Sequence, residues 1–275
     1  MAASERTAVG LRVVLVMPEP RASEQLEAVL AAGHESVVLP FAVLEPLDAP
    51  NHAALAAESA AHDFVVLVSP YAVRRAIRVL RPVLARAGAL AVVGPGSRSA
   101  LLGLWPEGSC QPRVLVPEPG REDADGLLGL PEFARGSGRR VLVVRGEGGR
   151  RDWIETLRAR GFSVHEVSLY GRRAISPART AEATLRRWLA EAGAICFVVS
   201  TRSMADSLAD WLRERVLLEQ ATRCVAWVPH RRIAESLEAS GWQDARVAGG
   251  GRGLVAAAIE SGTVESRSPN TEGHQ

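Results

Sequence analysis

One stretch occurs twice in this chain, and the duplication restricts what it can fold into. GRRVLVVRGEGGRRDWIETLRARGFSVHEVSLYGRR, Gly138 to Arg173, joins a β-branched run at Val141 to Val144 to a glycine-rich turn at Arg145 to Gly149. Trp153, Ile154 and Leu157 follow at helical spacing, Gly161 suits the left-handed position that ends a helix, and Val164, Val167 and Leu169 lead an extended run to Tyr170. This is a βαβ unit. LRVVLVMPEPRASEQLEAVLAAGHESVVLPF, from Leu11, is its twin: with Gly33 on Gly161, Val13 falls on Val141, Val16 on Val144, Glu27 on Glu155 and Ala31 on Ala159, without a gap. FVVLVSPYAV at Phe64 is echoed by CFVVSTRSMA at Cys196, and LAVVGPGSRSALLGL at Leu90 by CVAWVPHRRIAESL at Cys224. Two similar α/β halves are predicted.

Two extended, proline-marked segments interrupt the pattern. PFAVLEPLDAP cannot be helical, since Pro40, Pro46 and Pro50 each remove a donor and restrict the residue before them, and GRRAISPART after Tyr170 is its counterpart. Two connectors predict a discontinuous arrangement: domain A from 1–39 plus 174–263, domain B from 41–169, and a disordered tail at 264–275. Tandem halves split near 135 are the simpler alternative. Further helices are expected around Ala53 to Ala61 and through SPYAVRRAIRVLRPVLARAG, which Ser69 caps.

Composition removes several kinds of chemistry. All basic residues are Arg, because the sequence has no Lys, which excludes Schiff-base catalysis and lysine-dependent phosphate loops. A net charge of +2 with scattered Arg does not describe a duplex-binding surface, whereas an acidic small molecule fits. Cys110, Cys196 and Cys224 are few, odd in number and far apart, so free thiols in a reducing cytoplasm are expected and no metal spacing is present. Val13 to Met17 is too short for a secretory core, and no apolar run is long enough to span a bilayer.

In parallel α/β sheets, ligands bind beyond the carboxyl ends of the strands, where helix N-termini present unpaired amides. The loops at issue are MPEPR from Met17, SPYAV from Ser69, GPGSR from Gly94, RGEGGR from Arg145, STRSM from Ser200, PHRRI from Pro229 and GGGRG from Gly249. Glycine and serine after a strand are also ordinary turn residues, so the number of these loops, not any single one, points to a carboxylate-bearing ligand. A dinucleotide fingerprint fails, because Arg151 follows Gly146 and Gly148 where Gly or Ala is needed, and Gly94, Gly96 and Ser99 also break it. His230 follows a strand but has no Asp or Ser partner in sequence, which leaves capping or ligand hydrogen bonding. His34, His52, His62 and His165 are expected on the surface. Tyr170, one of two tyrosines, lies at a connector, where it either faces a cleft or packs at a hinge.

LVVRGEGGR, the LRARG after it and Tyr170 together resemble uroporphyrinogen-III synthase. FVVLVSPYAV and CFVVSTRSMA resemble that family's two strand-Thr-Ser loops, LAVVGPGSRSALL its Val-Gly-Pro-x-Thr motif with Ser97 for Thr, and WVPHRRIAESLEASGW its last helix. The resemblance implies two flavodoxin-like domains with parallel sheets, joined by a two-stranded linker, and an active-site cleft between them. It also implies a cytoplasmic, cofactor-free lyase of heme biosynthesis, which dehydrates and cyclises hydroxymethylbilane, a linear tetrapyrrole with eight carboxylates, with inversion of ring D. Untended substrate closes without inversion, so catalysis would rest on positioning and electrostatics. A monomer in transient contact with the deaminase that makes the substrate is implied as well.

Tyr170 matches the family tyrosine and takes the role of proton donor to the departing hydroxyl. Arg21, Ser69, Pro70, Gly94, Ser97, Arg145, Gly146, Gly148, Ser200, Thr201 and His230 become the substrate-binding set, with Arg145 and Arg21 on carboxylates. Three departures stand out: Val16, Met17 and Pro18 replace Thr-Arg-Pro, Val68 replaces a Thr, and Ala124 a Ser. They shift the expected binding from side chains to backbone amides and keep a second possibility open, a non-catalytic or divergent two-domain module for an acidic small molecule.

Overall fold

The computed structural model describes residues 10–47, 62–105, 112–118, 121–191, 193–249 and 252–265. The helix expected at 53–61, His52, Cys110 and the tail beyond 265 lie outside them, while 264 and 265, assigned to the tail from sequence, close the last helix. In chain order the elements begin with β1 (Arg12–Val16), α1 (Arg21–Ala31), β2 (Glu35–Val38), β3 (Ala42–Pro46), β4 (Phe64–Leu67), α2 (Pro70–Val79), α3 (Arg81–Arg86), β5 (Ala89–Val92), α4 (Pro95–Leu104) and β6 (Val114–Leu115). They continue with α5 (Ala124–Leu128), a 3₁₀ turn (Pro131–Phe133), β7 (Arg140–Gly146), α6 (Asp152–Ala159), β8 (Ser163–Ala174), α7 (Arg179–Ala190) and β9 (Ile195–Val199). Last come α8 (Arg202–Glu214), α9 (Leu218–Ala221), β10 (Val225–Val228), α10 (Arg231–Ala239), β11 (Ala245–Val247) and α11 (Arg252–Glu265).

The chain divides into two compact units, Met1–Val43 with Arg173–Gln275, and Leu44–Arg172. The first holds a five-stranded sheet in the order β11-β10-β9-β1-β2, every pair parallel, with Val13 opposite Cys196 and Ser36. In order of appearance within the unit this is 2-1-3-4-5 reversed end for end, the flavodoxin-like order. The second holds β3-β8-β7-β4-β5-β6. Counted from β7, its five parallel strands repeat 2-1-3-4-5, so the second unit is the same arrangement entered at its third strand.

Both sheets are covered on two faces, which is why their central strands are apolar throughout instead of alternating with polar residues. Val14 and Val16 pack with Leu185, Leu208 and Leu237 from α7, α8 and α10, while Val13 and Leu15 pack with Val29 and Leu254 from α1 and α11. In the second unit Leu142 and Val144 meet Val73 and Leu101, and Val141 and Val143 meet Leu127, Phe133 and Ile154. The paired helices α1 and α6 end alike. Gly33 (φ +80°) and Gly161 (φ +86°) take the left-handed position, and the next amide returns to the helix, His34 to Val29 O and Phe162 to Leu157 O.

Two expectations change, and the extended first connector gains a partner. The single helix read through SPYAVRRAIRVLRPVLARAG is two, α2 and α3, because Pro82 has no amide proton and its ring opposes the carbonyl four residues back. The first connector is in part a strand: β3 lies at the edge of its sheet, where Pro46 costs no ladder bond, and it runs antiparallel to β8, with Leu47 N–H on Leu169 O and Ile175 N–H on Phe41 O. His62, expected on the surface, is 2% exposed at the amino end of β4, its ring edge-on to the exposed His165.

Candidate active site

Tyr170 is the best-defined group at the carboxyl ends of the second sheet. It is buried near the end of β8, opposite Gly146 of β7, where the register shifts between Arg145 and Gly146. Gly146 must lack a side chain here: a Cβ would stand 2.6 Å from Tyr170 Cζ. The Tyr170 hydroxyl lies 3.0 Å from Ser69 Oγ, which also accepts the Ala72 N–H at 3.0 Å and so caps α2. Tyr71 closes the edge of the ring, its centroid 4.9 Å away at 72°, and donates its own hydroxyl to Leu44 O. Burial pushes the Tyr71 phenol up, against a smaller opposing pull from Arg75.

Arg145 is partnered within its own unit. Expected to hold a substrate carboxylate, it is 7% exposed and turned back on its own loop. Its Nε donates to Gly146 O, Nη1 to Glu166 Oε2 at 3.2 Å, and Nη2 to the carbonyls of Gly148 and Gly149. Glu166 takes Arg151 and Arg158 as well, at 2.7 and 2.9 Å. Burial alone would raise the Glu166 carboxyl, but hydrogen bonds from Arg158 and Arg151 hold it below the usual carboxylate range.

The other residues chosen in this unit sit on loops of neighbouring strands. Pro70 is the first residue of α2, Gly94 precedes α4 without a side-chain cap, Ser97 is buried in the first turn of α4, and Gly148 is exposed in the β7–α6 loop with φ +71°. Because β5, β4 and β7 adjoin, these positions form one rim.

The first unit has a corresponding rim on β1, β9 and β10. Arg21 opens α1, and Ser200, whose amide donates to Val16 O, has a buried hydroxyl without a hydrogen-bond partner among the described residues. Thr201 caps α8 through Met204 N–H, as Ser69 caps α2. His230 occupies the cap position of α10 but makes no side-chain cap bond and is exposed. At these rims the N-termini of α4 and α10 lack side-chain caps, leaving amides that can meet anions, whereas at α1 the Glu19 carboxylate already accepts the Ser23 N–H at 3.1 Å. Among the described residues no three His, Cys, Asp or Glu side chains are grouped to hold a metal ion, and no helix is long and apolar enough to cross a membrane.

A family model described as uroporphyrinogen-III synthase HemD matches residues 23–250. The chain belongs to this family. Curated relatives named uroporphyrinogen-III synthase include one from Salmonella typhimurium, 38% identical over 132 residues, which are 46% of this chain and 51% of the relative. Another, from Escherichia coli, is 35% identical over 139 residues, 50% of this chain and 54% of that one. The chain therefore spans about half the length of the curated relatives it matches. Among solved structures, a mutant uroporphyrinogen III synthase of the extreme thermophile Thermus thermophilus superposes with a TM-score of 0.56 at 20% identity, covering 93% of this chain and 100% of that one. A Helicobacter pylori uroporphyrinogen-III synthetase gives 0.55 at 13% identity, covering 91% and 98%. These two likenesses establish the shared fold.

Tyr71, Leu44 and Glu166 were not singled out from sequence. Tyr71 lies inside the SPYAV loop and is the other tyrosine of the chain, a signal that was available. Glu166 gives only a faint one, an acidic residue in the mixed strand SVHEVSLY beside an arginine-rich loop.

Proposed function

We propose that this protein dehydrates and cyclises hydroxymethylbilane with inversion of ring D, giving uroporphyrinogen III for heme biosynthesis. The observation that carries this is Tyr170: a buried phenol at the carboxyl ends of β7 and β4, with Ser69 3.0 Å from its oxygen, in a chain of the HemD family. The phenol gives its proton to the substrate hydroxyl, which leaves as water and creates an azafulvene cation. Ring D attacks through its substituted carbon to form a spiro intermediate, reopens, and closes inverted. The proton lost as the last ring regains aromaticity restores the phenol.

With the Ser69 hydroxyl donating to Tyr170 Oη, 3.0 Å away, the phenol's own proton is free for the substrate and the transient phenolate is stabilised. The uncapped helix amides and Arg21 supply donors for carboxylates, which suits a chain that has lost several family side chains there. Unpaired Cys196 and Cys224 agree with a reducing compartment, and we place the protein in the cytoplasm. Since free substrate closes to the uninverted isomer unaided, brief contact between a monomer of this protein and the deaminase would limit that loss.

Freshly generated hydroxymethylbilane is the test, with products oxidised and their isomers separated. Isomer III should exceed isomer I with the wild-type protein, and Tyr170→Phe should reverse the ratio while remaining folded. Isomer I dominating with folded wild-type protein overturns the assignment and leaves a module that binds a polycarboxylate without turning it over.

A further inference from the structure

We propose that Arg145 is a positioning residue for Tyr170, resting on the reading of Tyr170 as proton donor: anchored by Glu166, its guanidinium locks the glycine loop on which the Tyr170 ring sits. Each guanidinium nitrogen already has a partner inside the unit, on Gly146 O, Glu166, and the carbonyls of Gly148 and Gly149. A guanidinium this deeply buried depends on those partners, because the penalty of taking it from water is offset only by pairing and hydrogen bonds. Offering it to a substrate would dissolve the loop.

The loop in turn fixes the phenol. The irregularity between Arg145 and Gly146 re-aims β7 just where it faces Tyr170, as bulges near sites commonly do. Gly146 presents bare backbone to the ring, Glu147 N–H donates to Tyr170 O at 2.8 Å, and Ser69 and Tyr71 hold the hydroxyl and the ring edge. Freeing the loop therefore leaves Tyr170 anchored at Ser69 but unsupported beneath the ring. Removing Arg145 does not strand a buried carboxylate, since Glu166 keeps Arg151 and Arg158.

The experiment combines Arg145→Met, Tyr170→Phe and the double variant, with kcat and KM measured on freshly generated hydroxymethylbilane. Positioning predicts that Arg145→Met lowers kcat about tenfold or more with KM within about twofold, and adds nothing further in the Tyr170→Phe background. A raised KM with kcat intact, or losses that multiply in the double variant, would show a direct substrate contact and overturn the proposal. An activity-independent reading comes from ring-labelled tyrosine NMR, because the chain has two tyrosines and Tyr170→Phe assigns them. The Tyr170 ring signal should move in Arg145→Met, and an unmoved signal sinks the idea. Wild-type protein that makes no excess of isomer III while the ring signal still moves would instead sink the proton-donor reading and leave the positioning intact. Should Arg145→Met fail to fold, Glu166→Gln keeps the shape, weakens the hold on Arg145 and carries the same two measurements.

Discussion

A methyl group on Gly146 would enter the space the Tyr170 ring occupies, so Gly146→Ala tests the site with one carbon. Overpacking of that kind costs about 1–3 kcal/mol, and here the ring must move for it to be relieved. The expected result is a lower denaturation midpoint together with an isomer ratio shifted toward the uninverted product. Val216 offers the opposite change. It is 87% exposed with φ +57°, in the left-handed position after α8 where its amide returns to Arg213 O and Leu217 turns inward. Left-handed geometry costs a β-branched residue about 1–2 kcal/mol, and glycine's extra freedom in the unfolded chain offsets part of the relief, so Val216→Gly should stabilise by roughly 0.5–1 kcal/mol in urea unfolding. At this scale the sequence was unevenly readable. Rarity and position single out Tyr170 as either cleft-facing or packed at a hinge, and only the family resemblance gives it a role, whereas Arg145 at a rim reads the same whether it points outward or back at its own loop. What decides between them is Glu166, on the adjacent strand and 21 residues away in the chain.

Helix ends and strand edges carry the next layer. Ser69 serves α2 and Tyr170 with one oxygen, so Ser69→Ala should cost about 1 kcal/mol through the lost cap and also weaken isomer III formation. In Thr201→Ala the corresponding cap of α8 is removed without touching Tyr170's partner, so its loss of stability in urea unfolding calibrates the share of the Ser69→Ala cost that comes from the cap. The β7–α6 loop brings a dependence on acid. The Glu166 carboxyl is held below its unfolded value, against the upward push of burial, by Arg158 and Arg151. Its contribution is therefore complete above about pH 4.3, the unfolded value, and is lost as pH falls through the lower folded one. Stability measured in urea should separate wild type from Glu166→Gln most at neutral pH and bring them together at the acid end; a constant gap would refute the linkage. Element identity was legible where apolar spacing was regular, as in α1 and β7. It was less so in the proline-marked connector, because an edge strand such as β3 tolerates a missing donor that a central strand would not.

At the scale of the molecule, the repeat and its interleaving differ in how visible they are. Equal helix ends at Gly33 and Gly161 and equal strands around them expose the duplication in the sequence itself. The same echoes would arise in tandem halves, so only pairing separates the two arrangements: β1 lies between β2 and β9, joining chain segments on either side of the second unit. That pairing makes the units unequal in a testable way. The second is one continuous segment, 44–172, whose two core clusters draw, among the described residues, only on residues inside it, including Val65, Leu101, Leu142, Phe133 and Ile154. The first needs Val13 to Leu15 from the amino end against Phe197 and Val198 from far along the chain. A fragment of residues 44–172 should therefore fold alone, with a cooperative thermal transition and dispersed amide spectra. A fragment beginning at Arg173 lacks β1 and β2, exposes the apolar edge of β9, and should remain unfolded until a peptide covering 10–43 is added. Cooperative folding of the second fragment by itself, or failure of the first, would mean that the cores are not as self-contained as their contacts imply.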